Sequence, residues 1–221
     1  MKNRNFSLAA LAGLLTLALS GCGILSPVQT PEITQYQIAF SGSNTKKPQT
    51  QKAPAQSAMT LFVSPISADE PYNTTLMHYK ASDYALASYH LSQWVAPPNQ
   101  MMTQTFARAF MRSHRFDNIV SGNFIGYADY RLSGHLNQLT QTITSSETSI
   151  VVSAYFTLTR TDNGQIIASR IFNLRHKGEP NAKSYAQVAN QLVNQLSGEV
   201  KKWILSADHK TIKTKPQVPQ P

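Results

Sequence analysis

Six histidines, one cysteine and a short run of arginines are the residues of this chain with the most chemistry to offer. The imidazoles of His78, His90, His114, His135, His176 and His209 lie far apart in sequence, without the close ligand spacing of a zinc site. No Gly-x-Ser-x-Gly elbow, His-Glu-x-x-His pair or phosphate-cradling glycine loop occurs. The sequence thus points away from an enzyme and away from a bound metal. Arg108, Arg112 and Arg115 fall on one side of a helical pattern, and no acid occurs between Tyr84 and Phe116. Such a stripe repels itself mildly, so an acidic partner or lipid headgroups would relieve it; a solvated helix face has the same pattern. Trp94, just ahead of Pro97 and Pro98, is either a docking edge or a core ring that fixes the start of a helix. Tyr72, Tyr79, Tyr84 and Tyr89 either line a groove or follow strand propensity. Trp94, Pro97, Arg108, Arg112 and Arg115 are the candidate partner-binding residues.

The cysteine, Cys22, sits in the stretch LTLALSGCGILSP. A single thiol cannot form a disulfide within its own chain. Lys2 and Arg4 precede an uncharged, mostly apolar run from Phe6 to Leu19. As a helix that run would rise about 21 Å, short of the ~30 Å hydrocarbon core of a bilayer. A cleaved export signal, residues 1–21, fits better than a permanent span. Leu19-Ser20-Gly21-Cys22 looks like a bacterial lipobox. Proteins with that motif carry diacylglycerol on the cysteine sulfur and usually an acyl group on the new terminal amine. Each buried methylene contributes about 0.8 kcal/mol, so two or three chains anchor stably where one does not. Apart from that covalent lipid on Cys22, no cofactor is expected. Gly23 stands where an aspartate commonly marks retention at the inner membrane, so the chain resembles the lipoproteins anchored on the periplasmic face of the outer membrane.

The 221 residues are enough for one domain with extensions. Hydrophobic residues make up 41%, so a packed body is expected, while charged residues make up only 14%. The net charge of +9 raises nucleic acid, anionic lipid or an acidic partner. The positive residues are scattered, with no zinc-finger spacing and no dense basic block, so nucleic-acid binding is not expected.

Residues 22–32 form a lipidated tether with two prolines and no periodicity, leading into a domain over 33–206. Gln35 to Phe40 alternates as a first strand. Residues 41–58 are polar and proline-containing, a flexible loop. Thr60 to Ser64 is a short apolar strand, and two strands with a turn near Ala81-Ser82-Asp83 fill 71–94. A helix begins at Pro97-Pro98 and continues to about Ser113, with Met102, Phe106, Ala109, Phe110 and Ser113 on one face. Phe116 to Ser121 and Ala128 to Thr144 are extended. Ile150, Val152, Ala154, Phe156 and Leu158 alternate strictly along a strand over Thr148 to Arg160. Asp162-Asn163-Gly164 supplies a tight hairpin, with Gln165 to Leu174 returning. From Tyr185 to Ile204 an apolar stripe marks a closing helix, and 207–221 is a disordered tail. The sum is an α+β fold: a mixed, largely antiparallel sheet with two amphipathic helices packed on one face.

From about Tyr36 to Trp203 the chain resembles the ABC-type transport auxiliary lipoprotein component family. Pro71-Tyr72 through His78-Tyr79-Lys80, then Gln93-Trp94-Val95-Ala96-Pro97, then the hairpin and the closing helix with Lys202-Trp203-Ile204 carry the resemblance. Gln93 and Lys80 stand where the family usually has arginine, Pro98 where leucine is commoner, and the 41–58 linker is long. The resemblance implies a mixed sheet with helices on one side. It also implies work beside a mammalian-cell-entry (MCE) domain protein, an inner-membrane permease and an ATPase that move hydrophobic compounds between membranes. The expected role is to tether or brace that conduit at the outer membrane. Self-association into a homo-oligomer fits exposed strand edges. The rival is an assembly or pilot lipoprotein of an envelope or secretion complex.

Overall fold

The computed structural model describes residues 31–42, 59–111, 116–122 and 126–211. The chain divides into two compact units, Met1–Glu32 and Ile33–Pro221. All elements below belong to the second. In chain order they are β1 (Thr34–Tyr36), β2 (Thr60–Val63), β3 (Ser67–Ala68), β4 (Leu76–Lys80), β5 (Leu86–Trp94), α1 (Pro98–Phe110), β6 (Asn118–Ser121), β7 (Tyr130–Ile143), β8 (Thr148–Arg160), β9 (Ile166–Lys177) and α2 (Ala182–Thr211). Among the described residues these nine strands form one sheet. Cys22, the signal, the tether up to Thr30, most of the 41–58 loop, Arg112, Ser113, Arg115 and residues 212–221 lie outside the described residues.

The longest ladders of the sheet join the antiparallel trio β7–β8–β9, with β9 at the edge. Ile150, Val152, Ala154, Phe156 and Leu158 are all fully buried, because strict alternation sends every second side chain of β8 to one face. Gly164, with φ of 69°, turns the chain from β8 into β9 in a region that favours glycine. On β7, Tyr130, Leu132 and Leu136 are buried with the same alternation, then a bulge between Leu136 and Gln138 shifts the phase and brings Leu139 to the core. Gly134 faces Phe156 across the ladder, leaving room for the ring.

The other edge of β7 is shared by three short strands in series, all parallel to it. β2 takes Tyr130–Leu132, β3 takes His135–Leu136, and β4 takes Gln141–Thr142. From there the sheet forks: β6 adds beside β2, while β5 and then β1 add beside β4. The long ladders are thus antiparallel and most of the short ones parallel, giving the mixed, largely antiparallel α+β sheet that the sequence predicts.

Both helices cover the face that carries Phe156. Phe106 of α1 stacks on Phe156 at 5.0 Å between ring centroids, and Trp203 of α2 meets Phe172 of β9 edge-on at 5.8 Å. The α2 stripe from Tyr185 through Leu192, Val193, Leu196 and Val200 to Ile204 is fully buried. Asn181 caps α2 by accepting the Ser184 amide at 2.8 Å. α1 opens with Pro98, where a missing N–H costs nothing.

Several boundaries differ from the sequence expectation: β6 opens at Asn118 rather than Phe116, β7 spans Tyr130–Ile143 rather than Ala128–Thr144, and β9 runs from Ile166 to Lys177 rather than from Gln165 to Leu174. The first strand is Thr34–Tyr36 rather than Gln35–Phe40, because beyond Tyr36 the backbone bonds to helix side chains instead of a neighbouring strand. α1 ends at Phe110, short of Ser113. α2 reaches Thr211, past residue 206, since neither glycine nor proline interrupts Ser206 to Thr211.

Candidate interaction surface

Trp94 closes β5 with its ring in the core, 1% exposed and edge-on to Tyr185 at 5.4 Å. The docking-edge reading of Trp94 is therefore corrected: the indole is a core ring packed against Tyr185 of α2. The physical reason is strand alternation, which turns Trp94 inward and its neighbour Val95 outward. Pro97, half-buried, is the N-cap of α1 with extended backbone (φ −50°, ψ 135°), and the Gln100 amide donates to its carbonyl at 3.0 Å. Arg108 is exposed on α1. α1 is buried on more than one stripe, since Met101, Thr105 and Ala107 are covered as well as Met102, Phe106, Ala109 and Phe110. Of the tyrosines, Tyr72 is buried, Tyr79 and Tyr89 pack ring to ring at 4.9 Å, and Tyr84 is exposed.

Other basic groups stand on the sheet. The Arg131 guanidinium lies 5.5 Å over the Phe62 ring, and that of Arg170 lies 4.8 Å over Phe172. Arg160 pairs with Asp162 and Lys177 with Glu147, each at 3.2 Å.

The sheet also assembles a constellation that distance in sequence conceals. β3 pairs with β7 so that Ser67 sits beside His135. Nε2 of His135 lies 2.8 Å from Oδ1 of Asp69, and Nδ1 lies 2.7 Å from Oγ of Ser67. With Nε2 donating to the carboxylate, Nδ1 accepts the serine proton; the Gly134 carbonyl, at 3.4 Å, is the more distant acceptor for that hydroxyl. The imidazole stacks on Tyr155 at 5.4 Å. A Ser–His–Asp sequence of atoms is the arrangement of a nucleophilic hydrolase. Here Ser67 opens the short strand β3, Asp69 follows its last residue, and the ring bridges both to β7, with Asp69 half in water. The three groups join β3 to β7 as a cross-strand bolt. Only the i, i+2 spacing of Ser67 and Asp69 was visible in the sequence, and it carries no signal without the strand pairing.

A further patch, also missed, lies on the wing β1–β5–β4. Ile33, Leu76, Leu91 and Val95 are all exposed.

The family model for ABC-type transport auxiliary lipoprotein components matches residues 43–201. The chain belongs to that family. Like other ABC-type transport auxiliary lipoprotein components, it is a lipoprotein component accessory to transport. Among the described residues no helix is long and apolar enough to cross a membrane, and no cluster of three potential metal ligands occurs. Protein XCC0632 from Xanthomonas campestris has a similar fold, with a TM-score of 0.68 at 18% identity over 82% of this chain and 99% of that one. An uncharacterised protein of known structure aligns with a TM-score of 0.60 at 16% identity, over 78% of this chain and 99% of the other. No curated protein matches the sequence.

Proposed function

We propose that this auxiliary lipoprotein is held on the periplasmic face of the outer membrane by acyl chains on Cys22, and there tethers or braces an ABC/MCE-type conduit for lipids. The observation that carries the reading is the family match over residues 43–201, joined to the Leu19-Ser20-Gly21-Cys22 motif upstream. The mechanism is confinement: an anchored domain meets a partner spanning the periplasm at raised effective concentration. The role is non-enzymatic, and the partner is the MCE-domain protein of the inner-membrane transporter. Arg108, with Arg112 and Arg115 beyond it in sequence, supplies positive charge for an acidic partner surface or lipid headgroups. Self-association into a homo-oligomer would multiply those contacts.

Cross-linked co-purification from native membranes tests the partner. Recovery of an MCE-domain protein supports the reading, and recovery of a secretin or outer-membrane barrel alone overturns it. Membrane fractionation with Cys22→Ser tests the anchor: the variant should stay unprocessed or leave the outer-membrane fraction.

A further inference from the structure

The patch on the β1–β5–β4 wing is set by register. Tyr36 pairs with Trp94 and Thr34 with Ser92, so Ile33 comes beside Leu91. Leu76 pairs with Gln93 from the other side. Trp94 turns into the core, which sends Gln93 and Val95 outward, and the Val95 amide donates to the Tyr36 carbonyl at 2.8 Å to continue the ladder. The result is Ile33, Leu76, Leu91 and Val95, each between 45% and 51% exposed, on adjacent strands. The residues between them, Gln35 and Gln93, are uncharged.

Four half-exposed side chains of this size offer on the order of a few hundred Å². That is below the roughly 800 Å² that each partner contributes to a standard protein interface. It is suited to a bilayer, where apolar side chains need only reach the headgroup–acyl boundary and the anchor supplies most of the binding. Position favours the same occupant. Ile33 opens the folded unit, and only residues 23–32 separate it from Cys22, a reach of at most about 40 Å fully extended. Ile33 is thus the residue of the patch closest in sequence to the anchor, and it opens the unit that the tether holds.

We infer that Ile33, Leu76, Leu91 and Val95 form a membrane-facing surface that lies against the phospholipid leaflet holding the anchor. The inference rests on the lipidated Cys22 proposed above. It fixes the orientation of the domain: the β1 edge faces lipid, and β9, at the opposite side of the sheet, is held away from it.

The full lipidated chain carries the test, in vesicles of phosphatidylethanolamine and phosphatidylglycerol doped with nitroxide lipid. Lipidation consumes the native thiol, so Leu91→Cys or Val95→Cys gives a single site for an environment-sensitive fluorophore, with Ile171→Cys on β9 as the control. Quenching by nitroxide lipid should be at least about three-fold stronger at residues 91 and 95 than at 171. Equal quenching at all three, or none at 91 and 95, overturns the inference while leaving the anchor intact. Protection of 91 and 95 from an aqueous quencher without lipid quenching also overturns it and assigns the face to protein. Labelling of the unsubstituted chain at Cys22 refutes the anchor itself, and the inference falls with it.

Discussion

Asn190 and Asn194 stand one helical turn apart on α2 and grip successive peptide units of the extended segment Gln37–Ser41. The Asn190 side chain accepts the Ala39 amide at 2.9 Å and donates to the Gln37 carbonyl at 2.7 Å. Asn194 accepts the Ser41 amide and donates to the Ala39 carbonyl, both at 2.9 Å. The match is metric. Four helical residues rise about 6 Å and two extended residues advance about 6.6 Å, so i, i+4 on the helix fits i, i+2 on the strand. α1 repeats the device once: Thr103 accepts the Ile66 amide at 2.9 Å and Asn99 donates to the Ile66 carbonyl at 3.0 Å.

Asn194→Ala should therefore cost about 1–2 kcal/mol in urea denaturation, through the loss of its two hydrogen bonds to the Gln37–Ser41 segment. Native-state hydrogen exchange gives the sharper readout: the Ser41 amide should exchange faster in Asn194→Ala, and the Ala39 amide in Asn190→Ala. Unchanged protection at both amides would contradict the clamp.

The clamp explains one limit of the sequence reading. Alternation in Gln35–Phe40 describes an extended chain and was enough to predict a strand, but the partner is a pair of amides on the polar flank of a helix, which periodicity ignores. Where burial alone decides, the pattern was sufficient, as in the strict alternation of β8 and the Tyr185–Ile204 stripe of α2. Where pairing decides, it was not: nothing in the short segments β2, β3 and β4 says that they share one edge of β7. The candidate site divides the same way. Exposure of Arg108 follows from helical spacing, whereas the Ser67–His135–Asp69 bolt and the Ile33–Leu91 neighbourhood exist only once strands pair.

Gly134 is a sharp test of packing in that central ladder. A Cβ there would come within 2.5 Å of Cε1 and 2.8 Å of Cδ1 of Phe156, and 3.2 Å of Cγ1 of Ile66. Phe156 is pinned by Phe106 stacked on it and Phe172 edge-on, so the ring cannot move aside cheaply. Gly134→Ala should destabilise by about 1–3 kcal/mol through overpacking. In a Phe156→Leu background the same substitution should cost less, and thermal melts of the four proteins in this cycle measure the difference.

Ser67 should behave as an ordinary hydroxyl. A fluorophosphonate probe incubated with the intact chain should leave Ser67 unmodified by mass spectrometry, because the ring of His135 serves to join β3 to β7. Ser67→Ala should lower stability by about 1 kcal/mol or less. Covalent labelling of Ser67, abolished by His135→Ala, would instead make the cluster a hydrolase site.

Alkaline pH probes the deepest hydroxyl. Tyr185 is fully buried and donates to the Leu139 carbonyl at 2.7 Å. Burial raises its pKa well above the ordinary 10.0, and the nearby Tyr72 and Tyr89 hydroxyls push in the same direction. Below pH 10 both the folded and unfolded chains keep the proton, and stability is level with respect to this group. Above it the unfolded chain releases the proton while the folded chain retains it, so the unfolded state binds fewer protons and stability falls as pH rises toward the folded pKa. Tyr89 adds to the slope, its pKa raised by burial and by Tyr79. Urea denaturation from pH 7 to 11 should show a plateau and then a decline from about pH 10. Tyr185→Phe should lose about 1–2 kcal/mol at pH 7, since the Leu139 carbonyl is left without its donor. Having no proton to release in either state, the variant should also show a shallower alkaline decline. A parallel decline in both proteins would place the titrating group elsewhere.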